Sequence, residues 1–290
     1  MKWHKYPIKS LCQKDAEYPQ ALLAIAQPPA VLYYRGAWSP KKIEKSLAVV
    51  GSRRLTQYGR IVIDKILSVL VPRGITIISG FMYGTDTEAH IKCLEYRGTT
   101  IAVLGSGLDV IYPPENEQLY EKVLDAGGVI FSEYEAETKP QLWTFPQRNR
   151  IVSGLAGLGV LVVEADEKSG SLITASLAKK QGKKLFAVPG PITSKVSLGT
   201  NMLIKTHQAE MVLTADDILG QRVENKLLFE GVQLTSLEQK IKDCLERESL
   251  SGDELAMALQ KTIVEINQAL TMMSLKGVVN EAAGKFFVIA

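Results

Sequence analysis

Phe145-Pro146-Gln147-Arg148-Asn149-Arg150 is the sharpest chemical feature of this chain: two arginines flank an asparagine, with Trp143 and Phe145 beside them. Guanidinium forks grip phosphodiesters and an aromatic face accepts any stacked base, so the group suits a flexible polynucleotide. The arginines could instead pair with Glu133, Glu135 or Glu164 while the aromatics fill the core, and the pattern leaves both readings open. A second basic pair, Arg53-Arg54, follows Gly51-Ser52, where glycine lets the backbone approach a ligand. Ser169-Gly170-Ser171, with Lys168 before it, puts hydroxyls and free amides at the start of a helical pattern. That is either a phosphate cradle or a plain N-cap. Lys179, Lys180, Lys183 and Lys184 gather at the end of the same pattern, where positive charge is favoured regardless of any ligand. Lys168 and Lys183 join the candidate phosphate contacts on charge and location alone.

Other chemistry has less to stand on. His4, His90 and His207 lack metal-ligand spacing, and no metal site, catalytic residue or cofactor is assigned. Asp86 and His90, four apart, would share a helix face as an acid/base pair, although a structural hydrogen bond is the plainer reading. No G-x-S-x-G elbow, Walker loop or H-E-x-x-H occurs, and the G-x-G-x-x-G expected of a dinucleotide site is absent after the first apolar run. Cys12, Cys93 and Cys244 are odd in number and far apart, which fits a reducing cytoplasm and argues against a disulfide framework. No apolar run is long enough to cross a bilayer, and residues 1–7 lack the apolar core of a signal peptide, so a cytoplasmic protein is expected.

The elements that must position these groups are legible as a rhythm. Continuous apolar runs at 47–50, 75–78, 101–104, 129–131, 160–163, 185–188 and 211–213 read as strands buried on both faces. Helical spacing fills the intervals, as at 59–70 and 171–180. The expectation is an α/β fold with a Rossmann-like, doubly wound, mainly parallel sheet, whose ligands gather at the carboxyl ends of the strands. After Gly220 the rhythm changes. Residues 221–225 read as a linker, and Thr235/Glu238, Ser251/Glu254 and Thr262/Glu265 are capping-box pairs opening three short helices. The tail suits two strands and a turn, completing the plan of a winged helix. With 290 residues and 46% apolar composition, two domains are expected, at 46–220 and 221–290. Residues 1–45 form an extension packing on the sheet, with 31–34 able to add an edge strand. Net charge is only +3, but residues 1–225 hold 27 basic and 22 acidic residues, against 7 and 9 in the rest. A nucleic-acid site therefore belongs in the first part.

In order, these motifs resemble the DNA-processing protein A family, DprA or Smf. The match runs from about residue 30 to 220. It includes Val50-Gly51-Ser52-Arg53 with Tyr58-Gly59; Ser79-Gly80 with Gly84, Asp86, Ala89 and His90; and 102–109 before Tyr112-Pro113. It continues through Ser132-Glu133, 145–155, Val163-Glu164-Ala165, 169–175, 186–190 and Gly199-Thr200-Asn201. The resemblance implies a non-enzymatic binder of single-stranded DNA that forms homodimers and partners the recombinase RecA. Family members protect incoming strands in natural transformation and help displace single-strand-binding protein so that RecA loads. Carried over by position, Arg53 is a phosphate ligand, Arg148 and Arg150 match the R-N-R motif with Asn149 between them, and Ser169, Gly170 and Ser171 match the S-G-S/A loop. Met82 and Thr85 depart from the family's smaller residues, and His207-Gln208 replace its usual G-A, changes that could reshape packing or a dimer face. Ala156 and Lys183 are milder departures. Two other functions stay in view. A nucleotide-hydrolysing enzyme of the phosphoribohydrolase type would need P-G-G-x-G-T-x-x-E, which is missing. A duplex-reading regulator would need a basic winged helix, whereas this one is acidic, so it reads as a protein-contact or regulatory module.

Overall fold

The computed structural model describes residues 5–220, 234–276, 278–282 and 284–288. The chain divides into two units, Met1–Arg222 and Val223–Ala290. No described helix is long and apolar enough to cross a membrane.

The larger unit is built on nine strands: β1 (Lys9–Cys12), β2 (Val31–Gly36), β3 (Ser46–Val50), β4 (Thr76–Ser79), β5 (Thr100–Val103), β6 (Val129–Ser132), β7 (Gly159–Val162), β8 (Leu185–Ala187) and β9 (Glu210–Met211). Their order across the sheet is β1-β2-β6-β5-β4-β3-β7-β8-β9. From β3 to β9 all pairings are parallel, while β2 runs antiparallel to β6 and β1 antiparallel to β2. Residues 1–45 therefore continue the sheet with two strands instead of only covering it. Every residue of β3 through β8 is buried, as their unbroken apolar runs predict.

Helices cover both faces: α1 (Gln20–Leu23), α2 (Lys41–Glu44), α3 (Gln57–Leu70), α4 (Thr85–Glu95), α5 (Glu117–Asp125), α6 (Thr144–Leu155), α7 (Gly170–Lys180), α8 (Leu198–Lys205) and α9 (Ala215–Leu219). Alternation along the strands sorts the core. Ala48, Val50, Val160 and Val162 pack with Ile151, Leu155, Ala175 and Ala178 of α6 and α7. Leu47, Val49, Leu161 and Val163 pack on the other face with Ile63, Ile66 and Leu67 of α3 and Ala89 of α4. The chain winds outward from β3 to β6, then returns to the far side of β3 to lay down β7, β8 and β9. Loops leaving β3 and β7 therefore part in opposite directions, which opens a crevice at that switch point.

The smaller unit contains α10 (Ser236–Leu245), α11 (Gly252–Leu259), α12 (Ile263–Leu275), β10 (Val279–Ala282) and β11 (Lys285–Val288). All three expected capping boxes form, at Thr235/Glu238, Ser251/Glu254 and Thr262/Glu265. Glu238 is buried and also receives the Lys276 ammonium at 2.7 Å, tying the start of α10 to the end of α12. Leu250 and Phe286 exchange both backbone hydrogen bonds, so a one-residue strand between α10 and α11 joins the hairpin. Helix, strand, two helices and hairpin is the winged-helix order. The linker expected at 221–225 lies outside the described residues.

Candidate nucleic-acid interface

A crevice of about 620 Å³ sits at the carboxyl ends of β3, β4 and β7. Its walls come from five segments: Gly51–Arg54 after β3, Gly80–Asp86 after β4, the first turn of α6, the β7–α7 loop from Asp166, and Lys195-Val196 after β8. Of the residues singled out by sequence, Arg53, Arg54, Arg148, Asn149, Lys168, Ser169, Gly170 and Ser171 all line it. Arg150 and Lys183 do not.

Local sequence explains how the loops are held. After β3 the backbone turns so that the Arg54 amide donates to Ser52 Oγ (3.0 Å), leaving the Arg53 and Arg54 side chains exposed. The Ser52 carbonyl accepts from both the amide and the hydroxyl of Thr85 at 3.1 Å, which locks this loop to the start of α4. Gly84 takes φ +74°, and any Cβ there would strike the Ser52 carbonyl, so only glycine lets the two loops meet. The larger Thr85 is thus a buried tie between the two loops. At the opposite wall, Ser169 caps α7 by accepting from the Ser171 amide (3.3 Å), and its hydroxyl also meets that of Ser171 at 2.7 Å. A side chain at Gly170 would meet nothing within 4 Å, so the helix start lies open to a ligand. The N-termini of α6 and α7 both abut the crevice, and neither has an acidic residue in its first turn. Their dipoles reinforce the positive field.

The cations differ in what they are free to do. Arg53, Arg54, Lys168 and Lys195 are exposed around the rim, and Arg53 lies 5.5 Å above the Phe145 ring. Arg148 is only 2% exposed and donates to the carbonyls of Gly80 and Val103. Burial pushes it down to about 10, leaving it a cation at neutral pH. Asp86, whose carboxyl is raised by burial and lowered by the Arg148 charge, accepts from the Met82 amide at 3.2 Å. A Cβ on Gly80 would come within 2.6 Å of both the Arg148 guanidinium and the Asp86 carboxylate. Arg148 is therefore the fixed floor of the crevice, offsetting Asp86 and setting the potential above it.

Two of the expected site residues lie away from the crevice. Arg150 is held in a buried ion pair: its Nη1 and Nη2 donate to the two Glu133 carboxylate oxygens at 2.8 and 2.7 Å. Its Nε donates to the Gln27 carbonyl at 2.9 Å. Residues 148 and 150 are about 200° apart around a helix, so they cannot both face one ligand. Lys183 is placed differently. It follows the far end of α7, roughly 16 Å from the crevice at 1.5 Å per residue, and donates to the Ala156 carbonyl at 2.9 Å. Lys195, which sequence did not single out, opens a three-residue 3-10 turn (Lys195–Ser197) leading into α8, and its only signal is its position after a buried strand.

His90 is not paired with Asp86. It is buried with Nδ1 2.7 Å from Thr100 Oγ1, and burial together with the Arg148 charge pushes it down to about 3. An unfolded histidine titrates near 6.5, so below that pH unfolding takes up a proton. The group's contribution is complete above about pH 6.5 and falls by about 1.4 kcal/mol per pH unit down to about pH 3. Urea melts at pH 7 and 5 should show a smaller loss of stability in His90→Gln than in the parent. An equal loss would place the acid sensitivity elsewhere.

The model of the DNA recombination-mediator protein A family matches residues 9–222. The chain belongs to this family. Protein Smf of Synechocystis sp. is 39% identical over 240 residues, covering 79% of this chain and 60% of that protein. DNA processing protein DprA of Bacillus subtilis is 38% identical over 222 residues, covering 77% of this chain and 74% of the relative. The chain thus spans three-fifths to three-quarters of these relatives' length. The crystal structure of DprA from Streptococcus pneumoniae superposes with TM-score 0.67 at 37% identity, over 76% of this chain and 75% of that one. DprA from Helicobacter pylori, whose structure is described for its single-stranded DNA binding mode, gives 0.66 at 32%, over 76% of this chain and 97% of its own. His207 takes φ +53°, a left-handed conformation that glycine adopts without strain. It belongs to the α8–β9 turn, away from the crevice.

Proposed function

We propose that the crevice holds a single strand of DNA without making or breaking a covalent bond, in DNA processing that leads to recombination. The observation that carries this reading is the convergence of Arg53, Arg54, Lys168 and Lys195 on one crevice that also offers Phe145 and two helix N-termini. Rim cations and amides supply the affinity through phosphates, and Phe145 supplies a face that tolerates any base. The binding mode for which the Helicobacter pylori relative is described supports the same assignment. On this reading the protein acts in the cytoplasm as a homodimer and passes the strand to RecA. The winged helix serves as a protein-contact module, consistent with its excess of acidic residues.

Four exposed cations at about 0.7 released counterions each give a salt slope near −3 for a single strand. Raising salt from about 0.05 to about 0.5 M should therefore weaken a short oligonucleotide about 600-fold in a gel shift. Salt-insensitive binding would count against the phosphate contacts. Nucleotide hydrolysis by the purified protein would instead favour the phosphoribohydrolase reading. Ending the chain at residue 222, the boundary of the larger unit, should leave strand affinity within about threefold if the winged helix takes no part. A larger loss, measured by the same gel shift, would give the small unit a direct share in binding.

A further inference from the structure

The opposite end of the sheet carries a second concentration of positive charge that the crevice does not use. At the end of α7, Gly182 takes φ +66°, its amide donates to the Lys179 carbonyl (3.1 Å), and the Lys183 amide donates to Ala178 (2.9 Å). This reversal folds Lys183 and Lys184 back beside Lys179 and Lys180. Lys184 immediately precedes β8 and Lys45 immediately precedes β3, and both strands flank β7. Given the registers Leu47 to Gly159 and Val160 to Leu185, the two lysines start roughly 10–12 Å apart. Lys41 lies one helical turn before Lys45 on α2. The 156–158 loop ties the two segments together: Leu158 N donates to the Ser46 carbonyl, and Ala156 accepts from Lys183.

Lys41, Lys45, Lys179, Lys180 and Lys184 are all exposed, and among the described residues none has a salt bridge or side-chain hydrogen bond. Lys42 and Lys183 differ, since each donates to a backbone carbonyl. Glu44 is the one carboxylate in residues 41–45 and 179–184. The α7 dipole accounts for Lys179 and Lys180 but not for Lys41 and Lys45, which belong to another element. Neither segment contains an aromatic residue, and their one large apolar side chain, Ile43, is buried, as is Leu185 just beyond. A peptide ligand would therefore find no apolar anchor, and an unstacked base no platform.

We propose that this lysine face binds the phosphate backbone of duplex DNA, giving the larger unit two nucleic-acid surfaces at opposite ends of its sheet. The crevice takes a flexible strand whose bases are free to stack; the lysine face needs only regularly spaced phosphates, which a duplex presents. One molecule then holds a strand and a duplex together.

The test uses the full chain and a variant carrying glutamine at all five exposed positions: Lys41→Gln, Lys45→Gln, Lys179→Gln, Lys180→Gln and Lys184→Gln. Fluorescence anisotropy would follow a blunt duplex of about 20 base pairs and, separately, a short oligo-dT, with thermal melting to confirm the fold. The duplex should weaken at least about tenfold and its salt slope should shrink by about 4.5, about 0.9 for each lysine removed, while oligo-dT affinity stays within about twofold. The proposal is overturned if the parent does not bind duplex or if the variant binds it equally well. Proportional loss of both ligands overturns it too, by showing a general field in place of a site. So does a polyglutamate peptide that occupies the face when the duplex does not. Crevice binding, read by oligo-dT in the same experiment, succeeds or fails independently.

Discussion

Arg150→Ala should cost the larger unit about 3–5 kcal/mol of stability, the range for breaking one side of a buried ion pair. The Arg150 side chain is 9% exposed and makes both bonds of a fork to Glu133, whose side chain is 10% exposed. Truncation leaves that carboxylate without its partner and releases the carbonyls of Gln27 and Gln147. Gln27 sits at φ +57° before Pro28-Pro29, so the same guanidinium also pins a left-handed turn that a glutamine does not favour. Lysine cannot reproduce the fork, and Arg150→Lys should recover little of the loss. Pairing Arg150→Met with Glu133→Leu should recover more, because it removes both charges together. Urea unfolding reads all of these. If Arg150→Ala melts within about 1 kcal/mol of the parent yet loses DNA, Arg150 is a ligand contact and not a structural ion-pair partner of Glu133.

The second large effect concerns the rim. Replacing Arg53, Lys168 and Lys195 together by alanine removes three of the four exposed cations around the crevice. The salt slope for oligo-dT should fall from about −3 to about −0.7, with a loss of about 100-fold at low salt. All three side chains are exposed, so the melting temperature should barely move, in contrast to Arg150→Ala. Arg53→Ala alone should produce the largest single share, because that guanidinium also stacks 5.5 Å over Phe145. Arg148 belongs between the two cases. Buried and bonded to Gly80 and Val103, it should affect stability and binding together when removed.

The buried strands were readable because burial on both faces forces continuous apolar runs, and the three caps because Ser or Thr followed by Glu three residues on has a local cause. The sheet edges were harder. In β1 only Leu11 is buried, and both residues of β9 are exposed, so neither carries a hydrophobic pattern. The loops that sequence singled out converge on one crevice, but residue type alone could not separate a rim arginine from a buried one. Helix geometry alone could have divided Arg148 from Arg150, since two residues apart means opposite sides. Lys183 could likewise have been set aside, because a helix whose N-terminus faces the crevice must carry its last lysines away from it. The role of Arg150 depended on Glu133 and Gln27, partners 17 and 123 residues away that no local pattern reveals.

The central claim is that a single strand lies in the crevice between β3, β4 and β7, and photocrosslinking tests it most directly. An oligo-dT carrying 5-iodouracil would be irradiated with the full chain and the attachment sites mapped by peptide mass spectrometry. Attachment at Phe145 or Tyr83, suppressed by Arg53→Ala, is the expected result. Attachment confined to residues 207–211 or 234–288, unaffected by Arg53→Ala, would contradict it.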